Sequence, residues 1–103
     1  MDCLFCKIIN KEIPSEFLYE DENYIVINDL YPKAKTHMLI IPKHHISTIT
    51  DMTDDDRDIV GGMFLVARNL AKERNIEWYQ LTFNVWKGGW QEIMHIHLHF
   101  LAN

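Results

Sequence analysis

Polar and apolar positions alternate most sharply near the C-terminus, where His95-Ile96-His97-Leu98-His99-Phe100-Leu101 interleaves three imidazoles with bulky apolar side chains. Successive side chains of a β-strand point to opposite faces, so this period of two predicts a strand over 95–101. Ile96, Leu98 and Phe100 then enter a core, while the three histidines line the opposite face about 7 Å apart. Other periods mark the rest of the chain. Leu4, Phe5, Ile8 and Ile9 share one face of a short helix over 3–10, which ends before Pro14. Two β-prone runs, 17–20 and 24–28, flank the acidic turn Asp21-Glu22-Asn23 and read as a hairpin. The apolar run 37–41, closed by Pro42, predicts a central strand.

A long helix is predicted to begin at Thr53, where a capping hydroxyl and Asp54, Asp55 and Asp56 meet the unpaired N–H groups of a first turn. Ile59, Met63, Phe64, Ala67, Leu70 and Ala71 recur at helical spacing, giving one face that packs on a sheet. Gly61-Gly62 inside that pattern costs about 1 kcal/mol per glycine relative to alanine and points to close approach of helix and sheet. Residues 79–85 form another expected strand, then a glycine-bearing loop leads into the histidine strand. The order α, ββ, β, α, ββ predicts an α+β fold: a five-stranded antiparallel sheet, one long helix on one face and a short N-terminal helix. The long helix covers the face receiving Ile96, Leu98 and Phe100, leaving the histidine face open.

Composition narrows the reading. A length of 103 residues suits a single domain over 1–103, and 48% hydrophobic with 24% charged residues describes an ordinary globular chain. A formal charge of −5 argues against a nucleic-acid backbone as partner, because such binding needs a basic patch. No apolar run approaches a membrane span, and Met1-Asp2-Cys3 starts no basic-then-apolar leader, so a cytoplasmic setting is expected. Cys3 and Cys6 sit too close for an ordinary structural disulfide and are available as metal ligands or as small buried residues.

Three imidazoles on one face can act as nucleophile, proton donor or metal ligand. Upstream, Asn84-Val85-Trp86-Lys87-Gly88-Gly89-Trp90-Gln91 places amides around a glycine pair; such a loop approaches phosphate or simply joins two strands. His37 opens the central apolar run and His45 follows a proline turn, so further imidazoles can reach the same sheet face.

The chain resembles the histidine-triad (HIT) nucleotide hydrolases and transferases, whose signature of His-φ-His-φ-His-φ-φ, with φ apolar, is met by His95 through Leu101. Further similar blocks are Cys3-Leu4-Phe5-Cys6-Lys7-Ile8-Ile9, Glu12-Ile13-Pro14-Ser15, Tyr19-Glu20-Asp21, Thr36-His37-Met38-Leu39-Ile40-Ile41-Pro42-Lys43, His45-Ile46, Asn84 and Gln91-Glu92-Ile93-Met94. The resemblance implies attack by His97 on the α-phosphorus of a purine nucleoside monophosphate derivative, such as a phosphoramidate, through a nucleotidyl-histidine intermediate. It further implies His99 and His37 as catalytic partners, and Asn84 and Gln91 on the phosphate. Asp29 would bind the ribose, Leu30 would be a further substrate-binding residue, and Leu4, Phe5 and Ile8 would form an apolar slot for the base. Asp29 also reads as a turn cap, and the three apolar residues as ordinary packing. Metal-bearing relatives imply structural zinc on Cys3, Cys6, His45 and His95, with His44 competing for the third place. A homodimer is implied as well. Trp86 and Trp90 stand where relatives commonly carry glycine. Two other function classes remain: a non-catalytic nucleotide sensor, and a metalloenzyme binding one ion through His95, His97 and His99. The second conflicts with strand geometry, which sets the outer two about 13 Å apart.

Overall fold

A computed structural model describes residues 3–103. The expectation about a leader at Met1-Asp2 lies outside the described residues. Helix α1 spans Leu4–Ile9, followed by strands β1 Tyr19–Glu20, β2 Tyr24–Asn28 and β3 Thr36–Pro42. Helix α2 spans Arg57–Glu73, and strands β4 Gln80–Thr82 and β5 Leu98–Ala102 complete one antiparallel sheet of order β1-β2-β3-β5-β4. The α+β architecture is as expected. No helix among the described residues is long and apolar enough to cross a membrane.

Local chemistry accounts for the boundaries. The Cys3 thiol caps α1 by accepting from the Cys6 N–H at 3.4 Å. Asp21 makes the β1–β2 turn by accepting from the Asn23 and Tyr24 N–H groups at 2.7 and 2.9 Å. Thr53 donates its N–H to Asp56 at 2.9 Å, and residues Asp54–Asp56 form a 3-10 turn before α2 proper.

Alternation sorts the sheet into two apolar layers. Tyr24, Val26, Met38, Ile40, Ile96, Leu98 and Phe100 pack with Met63, Val66, Ala67 and Leu70 of α2. On the other face Ile25, Ile27, Leu39 and Ile41 pack with Cys3, Phe5 and Ile8. Strands β2 and β3 are therefore apolar on both faces, which explains their unbroken hydrophobic runs. The histidine face is not wholly open, as first expected, because α1 lies on it and sets Phe5 against the His95 and His97 rings.

The terminal strand differs from the 95–101 expectation in one respect: regular pairing begins at Leu98. Ahead of it the Ile96 N–H donates to the Ile46 carbonyl at 2.8 Å, outside the β3–β5 ladder, so His95 and His97 lie on extended but irregular chain. Similarly, the 79–85 strand contracts to Gln80–Thr82.

Candidate active site

Pairing in the sheet brings the histidines together. His99 on β5 faces Leu39 on β3, and His37 lies two residues away on the same face. Their rings meet, with His37 Nε2 2.9 Å from His99 Nδ1. The Asp29 N–H donates to the His37 carbonyl at 2.9 Å, which sets the Asp29 carboxylate 3.4 Å from His37 Nε2. Its other oxygen accepts from the Tyr31 N–H at 2.9 Å, so Asp29 is both a turn cap and a member of the site.

The tautomers follow from donors whose identity is fixed. His37 Nδ1 accepts the Lys33 backbone N–H at 3.1 Å, so the ring proton of His37 sits on Nε2. That proton points at His99 Nδ1 and Asp29, so neutral His99 carries its own proton on Nε2. His97 Nδ1 donates to the His95 carbonyl at 2.8 Å, which leaves its Nε2 as an unprotonated lone pair. Burial lowers the pKa of His37 and His97 despite the opposing charge of Asp29. His99 is pushed down to about 4 by burial and by the neighbouring His97 and His37. All three are neutral at pH 7.

His95 belongs to a second cluster. Its Nε2 donates to the Pro42 carbonyl at 2.7 Å, turning Nδ1 toward Cys3 Sγ at 3.3 Å, Cys6 Sγ at 3.6 Å and His45 Nδ1 at 3.0 Å. Cys6 Sγ is 3.5 Å from His45 Nδ1, and the four ligand atoms all lie within 4.8 Å of one another. Two sulfurs and two imidazole nitrogens around one tetrahedral ion with bonds of about 2.0–2.3 Å stand about 3.3–3.8 Å apart, so the donor set fits zinc. Burial and the adjacent Cys3 push the Cys6 thiol up to about 11, as expected for a thiol whose charge has no cation beside it. His44 instead points at Asp56, 3.7 Å away, and lies outside the cluster. His99 groups with Asp29 and His37, His95 with the cysteines, so the three triad histidines do not converge on one ion.

The remaining predicted residues are distributed around these clusters. Phe5 is buried with its edge toward the His97 ring at 5.1 Å between centroids; Ile8 is buried beside it, while Leu4 and Leu30 are exposed. Asn84 donates one amide hydrogen to the Gly89 carbonyl at 2.9 Å. Gln91 is fully engaged within the protein: Oε1 accepts the Trp86 N–H at 2.8 Å, and Nε2 donates to the Ser47 and Ile93 carbonyls at 2.7 and 3.0 Å. Ser47, not singled out by sequence, also places its hydroxyl 3.3 Å from His45 Nε2. A lone serine in the loop after Pro42 carries no pattern that would have revealed it.

Between Asn84 and Gln91 the backbone is strained. Trp86 has φ 63° and ψ 178°, a region occupied almost only by glycine, and Trp90 is left-handed at φ 65°, ψ 31°. Such conformations cost about 1–3 kcal/mol each and persist only where surroundings over-determine them. Here the Trp86 carbonyl accepts from the Gly89 and Gln91 N–H groups at 3.1 and 2.9 Å, in addition to the Gln91 bond to its N–H.

Residues 2–103 match the family model described as scavenger mRNA decapping enzyme C-term binding. The chain is 38% identical over 103 residues to the purine nucleoside phosphoramidase of Escherichia coli, covering 98% of this chain and 87% of that protein. A crystal structure of a HIT family hydrolase from Legionella pneumophila superposes with a TM-score of 0.96 at 46% identity, covering 99% of this chain and 93% of that one. A Zn-bound histidine triad family protein from Mycobacterium smegmatis superposes at 0.86 with 33% identity, over 100% of this chain and 76% of that one. A family model matched over residues 2–103 and relatives of 38% and 46% identity over nearly the whole chain show that the chain belongs to the histidine-triad (HIT) family.

Proposed function

We propose that the protein hydrolyses purine nucleoside monophosphate derivatives at the α-phosphate, phosphoramidates foremost, with His97 as nucleophile. One observation carries this reading: the 2.8 Å bond from His97 Nδ1 to the His95 carbonyl, which leaves Nε2 free on a neutral ring. In the first step the Nε2 lone pair forms a bond to phosphorus as the bond to the leaving amine breaks. The amine departs with that electron pair and takes a proton from solvent, its nitrogen held meanwhile by the Nε2–H of His99. His97 becomes a nucleotidyl-imidazolium whose charge is stabilised by the carbonyl on Nδ1. Water then attacks phosphorus, the phosphorus–nitrogen bond breaks, and one proton returns to solvent.

Asp29 supplies a carboxylate oxygen for ribose hydroxyls, with exposed Leu30 and Leu4 offering apolar surface for the base. Phe5 and Ile8 act on that slot from beneath, as its packed floor. Asn84 has a second amide hydrogen for phosphate, and Gln91 serves phosphate by holding the loop rather than by direct contact. Zinc on Cys3, Cys6, His45 and His95 would tie α1 to the sheet and, through His95, steady the carbonyl that orients His97. A second copy of the chain would lie against α2, whose Phe64 and Leu65 are exposed; sedimentation at twice the chain mass is the expected result, and a monomer at micromolar concentration refutes it.

The catalytic proposal is tested by acid-free quenching during turnover of an adenosine phosphoramidate labelled in the nucleotide. Label should appear on His97, and His97→Ala should fold normally with turnover lost. Wild-type rates in that variant, or tight binding with no labelled histidine, refute it, the latter in favour of a nucleotide sensor.

A further inference from the structure

Of the two imidazoles in the cysteine cluster, His45 is the less firmly enclosed. His95 is fully buried and fixed through Nε2 on the Pro42 carbonyl. His45 lies half-buried on the loop after β3 and turns Nδ1 into the cluster, 3.0 Å from His95 Nδ1 and 3.5 Å from Cys6 Sγ. Its outer nitrogen, Nε2, meets the Ser47 hydroxyl at 3.3 Å.

Ser47 is itself held from two sides. Its carbonyl accepts Gln91 Nε2 at 2.7 Å, and the same nitrogen donates to the Ile93 carbonyl, which also accepts the His95 N–H at 2.9 Å. Next to Ser47, the Ile46 carbonyl accepts the Ile96 N–H at 2.8 Å. The buried Gln91 side chain thus spans the two histidine-bearing segments, gripping one after His45 and the other before His95.

The tautomers give that hydroxyl a task. His95 Nε2 donates to Pro42, so His95 Nδ1 is a lone pair and the proton between the two Nδ1 atoms belongs to His45. His45 Nε2 then accepts the Ser47 hydroxyl hydrogen. A cation on the same two Nδ1 atoms demands the other tautomer, with His45 Nδ1 bare and Nε2–H donating to Ser47 Oγ. A hydroxyl can do both, being one donor and an acceptor with two lone pairs. The ring therefore keeps its bearing while its proton changes sides.

We propose that Ser47 is a positioning residue of the metal centre, its hydroxyl holding the His45 ring with Nδ1 aimed into the Cys3, Cys6, His45 and His95 cluster. The assignment rests on the zinc reading above and adds to it a residue that touches no metal. Partners of this kind, on the far nitrogen of a ligating imidazole, contribute about 10- to 100-fold in metal affinity.

The test measures zinc affinity of the whole chain by competition with a chromophoric chelator, together with the absorption spectrum of the cobalt(II)-loaded protein. Ser47→Ala removes only the hydroxyl and leaves the carbonyl that holds Gln91, so after chelation S47A and wild type should melt together. Zinc affinity of S47A should fall by about 10- to 100-fold, and its cobalt spectrum should lose the intensity of a tetrahedral complex of two sulfurs and two nitrogens. Ser47→Thr keeps a hydroxyl and should restore both readouts. Equal zinc affinity in S47A and wild type overturns the assignment, as does a loss in S47A that S47T fails to restore. Wild type taking up neither zinc nor cobalt overturns the metal reading itself, and the assignment with it.

Discussion

Adding one methyl group at each of two adjacent glycines of α2 should move stability in opposite directions. A Cβ on Gly61 meets nothing within 4 Å, whereas a Cβ on Gly62 collides with the Tyr24 hydroxyl and lies 2.9 Å from Cζ of the same ring. That hydroxyl donates to the Ile59 carbonyl at 2.8 Å, and Tyr24 is buried between β2 and the helix. Gly61→Ala therefore gains the helix propensity of alanine, about 1 kcal/mol. Gly62→Ala gains the same but forces the ring aside, at about 1–3 kcal/mol for overpacking and about 1 kcal/mol for the lost hydrogen bond. The net is a destabilisation of about 1–3 kcal/mol. At roughly 4–8 °C per kcal/mol for a domain of this size, thermal melts should place G61A above wild type and G62A clearly below it. Removing the colliding oxygen with Tyr24→Phe should recover part of the loss in the G62A background. Equal effects at the two glycines, or no coupling between positions 24 and 62, would refute the packing argument.

Other consequences are open to direct measurement. Burial holds His97 below the usual imidazole pKa, so the single-turnover rate should stay flat down through pH 6.5; an acid limb centred at or above that value contradicts a buried neutral nucleophile. Because His99 is pushed down to about 4, the unfolded chain binds more protons than the folded one between about pH 6.5 and 4. Stability of the metal-free protein should thus rise with pH across that window, and urea midpoints unchanged from pH 4.5 to 6.5 would count against it. Chelation should release about one zinc per chain and lower Tm, with Cys6→Ser doing the same without chelator; protein that is fully stable and zinc-free as isolated argues against the site. Gln91→Leu should reduce kcat through release of the Trp86 loop and raise amide exchange there, whereas unchanged exchange would mean the side chain does not hold the loop.

Periodicity made the two faces of the histidine segment legible, because alternation is a local property of extended chain. What it could not convey was where pairing starts, since the Ile96 N–H goes to Ile46, a partner chosen by the tertiary fold. The same holds for His37 and His99, 62 residues apart, whose 2.9 Å contact depends on the β3–β5 register. Cys3 and Cys6 were visible as a ligand pair, and only three-dimensional placement separated His45 from His44. The cover that α1 lays on the histidine face was not legible, because Phe5 and Ile8 look alike whether they fill a core or line a slot. Trp86 and Trp90 are the sharpest departure: nothing about tryptophan signals a positive φ, and the cause lies in the carbonyl and amide bonds that Gln91 imposes from across the loop.

Helix α1 has only six residues, far short of the length at which a helix holds itself together in water. Its order comes from seating Phe5 and Ile8 on Ile25, Ile27, Leu39 and Ile41 and from the cysteine cluster at its start. A unit so short, held by its neighbours, can open locally while the sheet and long helix stay folded. The cover over His97 is thus the part of the domain whose order depends least on itself and most on what it is seated upon.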